Sequence, residues 1–247
     1  MENAGYIALS RQTALWRQMD QIANNMANLN TTGFKGEHEL FTDYVAQVRT
    51  DRSVFKDKIA FTQDFGMVRD LSEGALQSTG NSMDVALKGD GYFTVEGQNG
   101  QQFYTRNGHF KLDADGQLAT SSGELLINDA GQPIIIAPNE SEITIAKDGT
   151  VSTENGQIGR LKLAAFDDQR SLKKVANGLY DAGEQQPQPV TAPHIVQGML
   201  EQSNVNPMLE ITKMISVQRA YESAQKMIDI ENDRQRSAID AYAKTFS

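Results

Sequence analysis

The residues whose types could do chemistry in this chain are three histidines and a set of acidic residues between strand-like segments. His38, His109 and His194 lie in separate stretches, and none belongs to an H-E-x-x-H pair or follows a G-x-S-x-G turn. The sequence has no cysteine, which excludes thiolate metal sites and cysteine nucleophiles. We therefore predict that the chain is not an enzyme, with no catalytic residue, no cofactor-binding residue and no metal ligand.

The acidic residues after Leu112 come nearest to a metal-binding pattern. Asp113, Asp115 and Glu124 occupy positions one, three and twelve of a calcium-loop template, but Gly116 stands at position four, where the template needs glycine at six. We interpret these acids as turn residues of a hairpin. The segment GDGYF at 89–93 lacks the G-x-G-x-x-G spacing and has no helix after it, so we expect no phosphate-binding loop.

Composition excludes further classes of function. A net charge of −9 and a pI near 4.9 argue against a nucleic-acid partner, which would require a basic surface. No run approaches the roughly 18 to 20 apolar residues of a membrane span, so we expect no membrane insertion. The opening MENAGYIALSRQTALWRQ lacks a signal-peptide pattern, and any export would use another route. Residues 1–30 are neutral and residues 199–247 carry −1, which leaves −8 to the middle.

Two long amphipathic helices are predicted at the ends of the chain. Apolar residues recur there at steps of three and four, the spacing that lines one face of a helix. The first stripe is Leu15, Met19, Ile22, Met26 and Leu29; the second is Met214, Val217, Tyr221, Ala224 and Ile228, continued by Ile239, Tyr242 and Phe246.

The helix boundaries are marked by local signals. Gly33 can take the left-handed conformation that follows a helix, so the first helix should stop near residue 30. Asn206 is a good N-cap, Pro207 suits the first helical position, and the Glu210 carboxylate meets the positive end of the helix. We expect the second helix to run from 207 to near residue 247.

The middle of the chain reads as β structure. Short strand-like stretches alternate with seven Asn-Gly or Asp-Gly pairs between residues 90 and 178, which favour the positive φ of type I′ turns. This pattern indicates a meander, a small barrel or a sandwich. Residues 31–85 favour a connector of short helix and extended segments, and the glycine and prolines of 182–193 begin a return connector that ends at 206.

We therefore predict an α+β fold in which the N- and C-terminal helices pair as a coiled-coil-like domain, with a central all-β domain inserted between them through extended connectors. The predicted segments are 1–30 and 207–247 for the helical domain, 86–181 for the β domain, and 31–85 and 182–206 for the connectors. Packing of each helix on its own β domain is the alternative. Helix length favours pairing, because forty helical residues rise about 60 Å, more than a small β domain covers.

Two motifs resemble the bacterial flagellar rod and hook proteins. NNMANLNTTGFKG at 24–36 is similar to the N-terminal signature of that family, and SNVNP at 203–207 with QRAYESAQKMI at 218–228 is similar to its C-terminal counterpart. GDGYFTV at 89–95 and YTRNGHFKLDADGQL at 104–118 resemble the central domain. The opening and the total length are most similar to proximal-rod members, and the distal-rod type is the alternative.

The resemblance implies a structural subunit of the flagellar basal-body rod, in which neighbouring copies pack through their terminal helices into a helical tube. Its partners would be other copies of itself, other proximal and distal rod proteins, and the flagellar export apparatus. The apolar stripes would form the subunit interface. Polar residues would set turns and register: Asn24, Asn25, Asn28, Thr32, Gly33, Phe34, Asn204, Asn206, Gln218 and Arg219.

A second class of function also fits the composition. A β-domain adhesin or carbohydrate-binding module could use helical ends to trimerise and exposed aromatic rings to stack on sugars. Tyr92, Phe93, Tyr104 and Phe110 are the candidate rings. Burial of these rings in a core is the simpler expectation.

Overall fold

The computed structural model describes residues 2–47, 58–137, 140 and 142–245. The chain divides into two compact units. Unit 1 contains Met1–Ala27, Glu37–Arg69 and Asn206–Ser247, and unit 2 contains Asn28–Gly36 and Asp70–Val205. Two helices and a central β-rich region make the fold α+β, as predicted.

Unit 1 is built from two helices, α1 (Glu2–Ala27) and α2 (Pro207–Thr245). The predicted start of α2 is confirmed, because the Asn206 side-chain oxygen accepts hydrogen bonds from the backbone N–H groups of Met208 at 3.0 Å and Leu209 at 3.3 Å. These bonds satisfy two of the donors that a helix leaves unpaired at its first turn. The first helix ends three residues before the predicted position.

The rest of unit 1 is a hairpin of two long strands, β1 (Glu37–Gln47) and β2 (Lys58–Arg69). They pair antiparallel from Glu37 opposite Arg69 to Gln47 opposite Lys58, with a register shift between Leu40 and Phe41. The sequence had favoured a short helix or an extended connector over residues 34–55, and extended strands and turns over residues 62–80. The described residues of 31–85 contain no helix, because the backbone N–H and C=O groups of each strand find partners on the other.

The described part of unit 2 holds sixteen short strands. They are β3 (Leu76–Ser78), β4 (Val85–Lys88), β5 (Tyr92–Glu96), β6 (Gln102–Thr105), β7 (Phe110–Leu112), β8 (Leu118–Thr120), β9 (Leu125–Leu126), β10 (Thr144–Ile145), β11 (Thr150–Thr153), β12 (Gly156–Arg160), β13 (Leu163–Ala165), β14 (Lys173–Lys174), β15 (Leu179–Asp181), β16 (Gln188–Pro189), β17 (His194–Gln197) and β18 (Met199–Glu201). Nine of them form one sheet with β14-β15-β6-β5-β9-β8-β7 as its main path. The strands β10, β11 and β12 form a second sheet.

The core of unit 2 lies between these sheets and is made of aliphatic and aromatic side chains. Tyr92 and Phe93 are almost completely buried, and Phe93 packs edge to face on Phe110 with the ring centroids 5.4 Å apart. Burial of such large apolar side chains stabilises the folded domain. The larger aliphatic members of the core are Leu87, Leu118, Leu126, Ile127, Ile134, Ile136, Leu161 and Ile195.

The Asn-Gly and Asp-Gly turns are present, but their type differs from the prediction. Six of the seven glycines have positive φ, whereas the Asn or Asp before them has positive φ only at Asn177. A type I′ turn needs positive φ at both positions, so that assignment holds for Asn177-Gly178 and is wrong for the others. Gly108 is the one glycine of the seven without positive φ. A Cβ there would lie 1.6 Å from the Val85 carbonyl oxygen. Glycine is needed at that position for close backbone approach.

The return segment is also paired with the incoming chain. Strand β17 runs antiparallel to β4, and β18 runs antiparallel to β3, so the two ends of unit 2 lie side by side. The sequence had favoured a return connector over 182–206, with a composition that disfavours helix. Pairing occurs because His194–Gln197 presents Ile195, which is 1% exposed, to the core beside Leu87.

Candidate functional site

The face shared by α1 and α2 holds most of the apolar stripe predicted from the sequence. Ile22, Val217 and Ala224 are buried. Leu15, Met19, Met26, Met214, Tyr221 and Ile228 are half-buried on the same pair of helices. Leu29 is half-buried but lies after the end of α1, in unit 2. Nine of the ten stripe residues are thus buried or half-buried on α1 and α2, and Leu29 lies outside both helices.

Side-chain contacts fix the direction of the helix pair. The Trp16 ring lies 6.3 Å from the Tyr221 ring, and the Gln12 amide donates to the Gln225 amide oxygen one helical step further along. The pair with the lower residue number on α1 has the higher residue number on α2, so the helices are antiparallel. Because α1 has 26 residues and α2 has 39, the last turns of α2 extend past the start of α1. Ile239 is accordingly exposed, and Phe246 lies outside the described residues.

Asn25 is the polar centre of unit 1. Its side chain is fully buried, and its amide donates to the Glu210 carboxylate at 3.3 Å and to the Glu37 carbonyl at 2.9 Å. Its amide oxygen accepts from the Glu37 backbone N–H at 3.1 Å. One asparagine therefore joins the end of α1, the start of β1 and the first turn of α2. A buried polar group with this many partners fixes register, because any sliding of the helices would leave it unsatisfied.

Glu210 is buried in the first turn of α2 and faces two donors. Lys213 donates to one carboxylate oxygen at 2.7 Å, and Asn25 donates to the other. The positive end of the helix dipole stabilises the carboxylate at this position. The sequence placed Glu210 in the first turn for that reason, but it gave no sign that Asn25 would meet it.

The predicted turn residues after α1 lie in unit 2. The Asn28 side-chain oxygen accepts from the Thr31 hydroxyl at 3.1 Å, and the Asn28 carbonyl accepts from the Thr31 N–H at 3.2 Å. Gly33 has φ +67°, and a Cβ on it would lie 2.5 Å from the Arg106 carbonyl carbon. Phe34 is buried, and the Lys174 ammonium lies 4.4 Å from its ring centroid. Thr32 is half-buried.

Asn204 connects the return segment to the residues that follow the turn after α1. Its amide nitrogen donates to the carbonyls of Asp70 at 3.0 Å and Ser72 at 3.1 Å. Its amide oxygen accepts from the Gly36 N–H at 2.8 Å. Asn204 thus ties three chain segments that are distant in sequence.

The remaining predicted polar residues are on helix surfaces. Asn24 is exposed one position before the buried Asn25. Gln218 and Arg219 are exposed on α2, where the Gln218 amide donates to Glu222 at 3.3 Å. The structure does not bring these three residues into the cluster around Asn25.

Sequence reasoning missed a buried ionic cluster in unit 2. Lys35, Arg106 and Glu201 are each at most 3% exposed. The Lys35 ammonium donates to one Glu201 oxygen at 2.6 Å, and the Arg106 guanidinium lies 3.6 Å from the other. Buried charges of opposite sign must pair, since isolated burial would cost several kcal/mol.

Backbone groups supply further hydrogen bonds to this cluster. Lys35 also donates to the Ser72 carbonyl at 2.7 Å, and the Gly74 N–H donates to Glu201 at 3.0 Å. Arg106 donates to the carbonyls of Leu87 at 3.3 Å and Gly89 at 2.7 Å. The only sequence signal for the cluster was a lysine between the glycines at 33 and 36, inside an otherwise uncharged motif.

The three histidines belong to different elements. His38 is on β1, His194 is on β17, and the His109 ring meets Asp84 at 2.7 Å. Within the described residues no group of three or more His, Asp or Glu side chains could hold a metal ion. In the same part of the chain, neither helix combines the length and the apolar character that crossing a membrane requires.

The acidic hairpin is a turn, as interpreted from the sequence. The Asp113 side chain accepts from the backbone N–H groups of Asp115 at 2.9 Å and Gln117 at 2.7 Å. Burial would raise the pKa of the Glu124 carboxyl, but hydrogen bonds donated by Thr120 and Ser122 outweigh burial and hold that pKa below its usual range. The Asp113 and Glu124 carboxylates therefore accept hydrogen bonds from residues of their own hairpin.

The rings considered for sugar stacking belong to the core. Tyr92, Phe93, Tyr104 and Phe110 are all buried. Burial raises the pKa of the Tyr104 hydroxyl, and the Asp181 carboxylate raises it further. The stacking surface that an adhesin would need is therefore not formed by these rings.

Three family models match the chain. The model described as "Flagella basal body rod protein" matches residues 6–35, "Flagellar hook protein FlgE/F/G D1 domain" matches 86–153, and "Flagellar basal body rod FlgEFG protein C-terminal" matches 196–241. The flagellar basal-body rod protein FlgF of Caulobacter vibrioides is 41% identical over 247 residues, which cover 99% of each chain. The chain belongs to the flagellar basal-body rod protein family.

Other relatives match over almost their full length. FlgF of Mesorhizobium japonicum is 34% identical over 90% of each chain, and FlgG of Agrobacterium fabrum is 33% identical over 90% of this chain and 92% of its own. The buried ionic cluster of unit 2 has one residue in each segment that a family model matches. Lys35, Arg106 and Glu201 lie one in each of the three matched segments. The chain is a structural subunit of the rod family, and its polar clusters join the parts by which that family is defined.

Proposed function

We propose that this chain is a subunit of the proximal rod, and that it polymerises through its terminal helices into a helical tube that transmits torque. The observation that carries the proposal is the antiparallel pair of α1 and α2, which uses one apolar stripe internally and leaves other apolar side chains of both helices in solvent. Exposed apolar surface on a helix pair is characteristic of a subunit that has yet to meet its neighbours.

The proposed assembly domain is a coiled-coil-like pair formed by 1–30 and 207–247. The central β domain, 86–181, is inserted between them, with 31–85 and 182–206 as connectors. Neutral helices and an acidic β domain support this division, because like charges on the β domains would repel if those domains formed the packed interior of a tube. Heterologous contacts that do not close into a ring build an open helical tube.

The apolar stripes have two proposed roles, within the subunit and toward its neighbours. Stripe residues such as Leu15, Met19 and Met214 are only half-buried, so they keep surface for a second partner. Asn25, Asn204 and Asn206 would hold the geometry from which the helices emerge, and exposed Gln218 and Arg219 would contact other subunits.

Family membership supports the proposed partners and place. We expect the chain to assemble with other copies and with other rod proteins in the basal body, crossing the periplasm. The flagellar export apparatus would deliver it without a cleavable signal peptide. A helix pair that depends on amides such as Gln12 and Gln225 is marginal alone and gains stability from neighbours.

A distal-rod subunit is the alternative within the family. Relatives named FlgG match this chain at 32% to 36% identity over 85% of its length or more, so the match is not confined to proteins named FlgF. Replacement experiments separate the two positions. A cell that lacks its FlgF should regain motility with this chain, and one that lacks its FlgG should not.

The assembly itself is tested with full-length protein. We expect sedimentation velocity to show self-association that grows with concentration, and electron microscopy to show tubes. Val217→Asp should abolish both, because it places a charge on the buried stripe, whereas Ser216→Asp, at the exposed neighbouring position, should not. Circular dichroism of each variant checks that the helices remain folded. A wild-type chain that stays monomeric at every concentration would contradict the proposal.

A further inference from the structure

Strand β3 has a free edge. In an antiparallel pair, residues alternate between those whose backbone N–H and C=O groups face the partner strand and those whose groups face away. The Thr79 N–H donates to the Gly198 carbonyl at 2.8 Å, which places the odd-numbered residues of this stretch toward β18. Leu76 and Ser78 therefore direct their backbone groups to the opposite side. In the described part of the chain β3 pairs with β18 alone, so that side faces no second strand.

The sequence of β3 carries none of the residues that usually protect a free edge. Lysine and proline on an edge strand discourage another strand from adding to it. The edge strand β14 consists of two lysines, β7 has Lys111 at its centre, and β16 contains Pro189. Residues 75–81 contain neither a charge nor a proline, and Leu76 is 39% exposed. This edge is therefore open to an extended segment of another chain.

A cleft of about 390 Å³ lies at the end of this edge. One wall is formed by Gly80 and Gly198, which adjoin, since the Gly80 N–H donates to the Gly198 carbonyl at 3.2 Å. Both glycines have positive φ, and without side chains they leave the backbone of this wall accessible. A strand that lies along β3 and continues two residues beyond Ser78 reaches Gly80, because a strand rises about 3.3 Å per residue.

The rest of the cleft carries a carboxylate and is held in place by hydrogen bonds. Glu142 and Thr144 line it, and among the described residues of the cleft Glu142 alone is charged. The Gln197 amide nitrogen donates to the carbonyls of Ser82 at 2.8 Å and Ile143 at 2.7 Å, so it joins separate segments that line the cleft. A preformed cleft with one carboxylate is suited to a basic side chain.

We infer that β3 and this cleft bind an extended segment of a partner protein, and that the segment carries a lysine or arginine. Its backbone adds as a strand to the free edge at Leu76 and Ser78, and its basic side chain enters the cleft and pairs with Glu142. Strand addition provides affinity through main-chain hydrogen bonds, and the side-chain pocket provides specificity. The site lies wholly in unit 2 and is separate from the helices of the proposed assembly.

Charge favours a different protein over a second copy as the occupant. Residues 31–198 carry −8, so the β domains of two copies repel each other, whereas a basic segment is attracted. The partner is therefore identified by its chemistry, as a basic segment in extended conformation.

Titration of the full-length protein with synthetic peptides tests the site. The probe is a capped hexapeptide of alternating threonine and valine with one central lysine, and the matched control has glutamate in place of the lysine. Calorimetry should show that the lysine peptide binds and that the glutamate peptide binds about five- to tenfold more weakly. Glu142→Gln should remove most of this preference. Absence of binding by the lysine peptide, or an unchanged preference in Glu142→Gln, would overturn the inference.

Variants of Ser78 test the strand addition. Ser78→Pro removes an N–H that faces away from β18 and should weaken peptide binding by about tenfold or more, whereas Ser78→Ala keeps the backbone and should bind as the wild type does. Circular dichroism checks that both variants fold. N-methylation of the peptide backbone makes the same test without altering the protein and should also weaken binding. Equal binding by Ser78→Pro and Ser78→Ala, or by the methylated and unmethylated peptides, would exclude strand addition.

Assembly measurements separate this site from the proposed function. Ser78→Pro should form tubes as the wild type does, because the site is not part of the helix pair. If folded Ser78→Pro protein instead fails to self-associate, the occupant is a second copy and the assignment to a basic partner is wrong. Failure of the wild type to assemble would contradict the proposed function, while peptide binding would still decide this site.

Discussion

The Asn25 amide donates to the Glu210 carboxylate at 3.3 Å, although 185 residues separate them in sequence. Asn25 is the last buried polar residue of α1, and Glu210 is the first buried residue of α2. The pair therefore sets which turn of α1 lies beside which turn of α2. The later turns of the two helices follow from this contact, because a fixed register at one point of a helix pair sets the register along its length.

Removal of the Asn25 side chain should destabilise unit 1. Asn25→Ala leaves the Glu37 N–H and one Glu210 oxygen without their buried partner, and we expect a loss of about 2–4 kcal/mol in the free energy of unfolding. Trp16 is the single tryptophan and lies in unit 1, so its fluorescence during urea unfolding reports this unit. Asn24→Ala, at the exposed neighbouring position, should cost under about 1 kcal/mol. Equal losses for the two variants would remove the special role of Asn25.

Loss of Glu201 should be severe for unit 2. Glu201→Leu leaves Lys35 and Arg106 as buried cations without their carboxylate, and we expect a cost of about 3–5 kcal/mol. Lys35→Met combined with Glu201→Leu should recover part of that loss, because the double variant removes the uncompensated ammonium. The readout is the tyrosine near-ultraviolet circular dichroism of unit 2 during denaturant unfolding. Strictly additive losses in the double variant would show that Lys35 and Glu201 do not act as a pair.

Two independent features favour glycine at position 33: its positive φ and its close contact with backbone. A comparison with Gly80 separates their effects. Gly33 and Gly80 have φ of +67° and +72°, so alanine is strained at either position. A Cβ at Gly33 would lie 2.5 Å from backbone of Arg106, whereas a Cβ at Gly80 meets nothing within 4 Å. We expect Gly80→Ala to cost about 1–2 kcal/mol and Gly33→Ala to cost clearly more, measured by chemical denaturation. Similar costs at both positions would mean that the backbone contact relaxes without penalty.

Glu124 should make the stability of unit 2 depend on pH in the acidic range. Hydrogen bonds from Thr120 and Ser122 lower the pKa of the Glu124 carboxyl in the folded state. A lowered folded-state pKa contributes stability that is present above the unfolded pKa and is lost as pH falls through the folded pKa. The stability difference between wild type and Glu124→Gln should therefore be larger at neutral pH and shrink on acidification. Thermal unfolding across this range measures it, and a constant difference would contradict the assignment.

Local signals in the sequence were enough for the helix boundaries and the turns. The Asn206-Pro207 pair marks the start of α2 because capping depends only on the first few backbone N–H groups. Glycine positions mark the hairpin turns because positive φ is a property of single residues. The turn type was wrong in most cases, since the conformation of the residue before glycine also depends on the strands that the turn joins.

Pairing between distant segments was beyond sequence reasoning. The strands β17 and β18 read as connector because their few residues carry no long pattern, and the strands with which they pair, β4 and β3, are more than 100 residues away in sequence. Lys35 and Glu201 likewise show no mutual signal across 166 residues. A short strand or a lone charge gains its partner from the fold, which alone determines what lies opposite it.

By itself, the sequence determined that the chain has helical ends and a turn-rich β middle and carries the motifs of the rod family. The tertiary structure decided which faces of the helices are used within the subunit, which remain exposed, and how Asn25, Asn204 and Glu201 hold the chain segments together. The physical reason is the separation in sequence over which each interaction acts. Capping, turn formation and helical periodicity act over a few neighbouring residues, whereas burial and ion pairing depend on groups that only folding brings together.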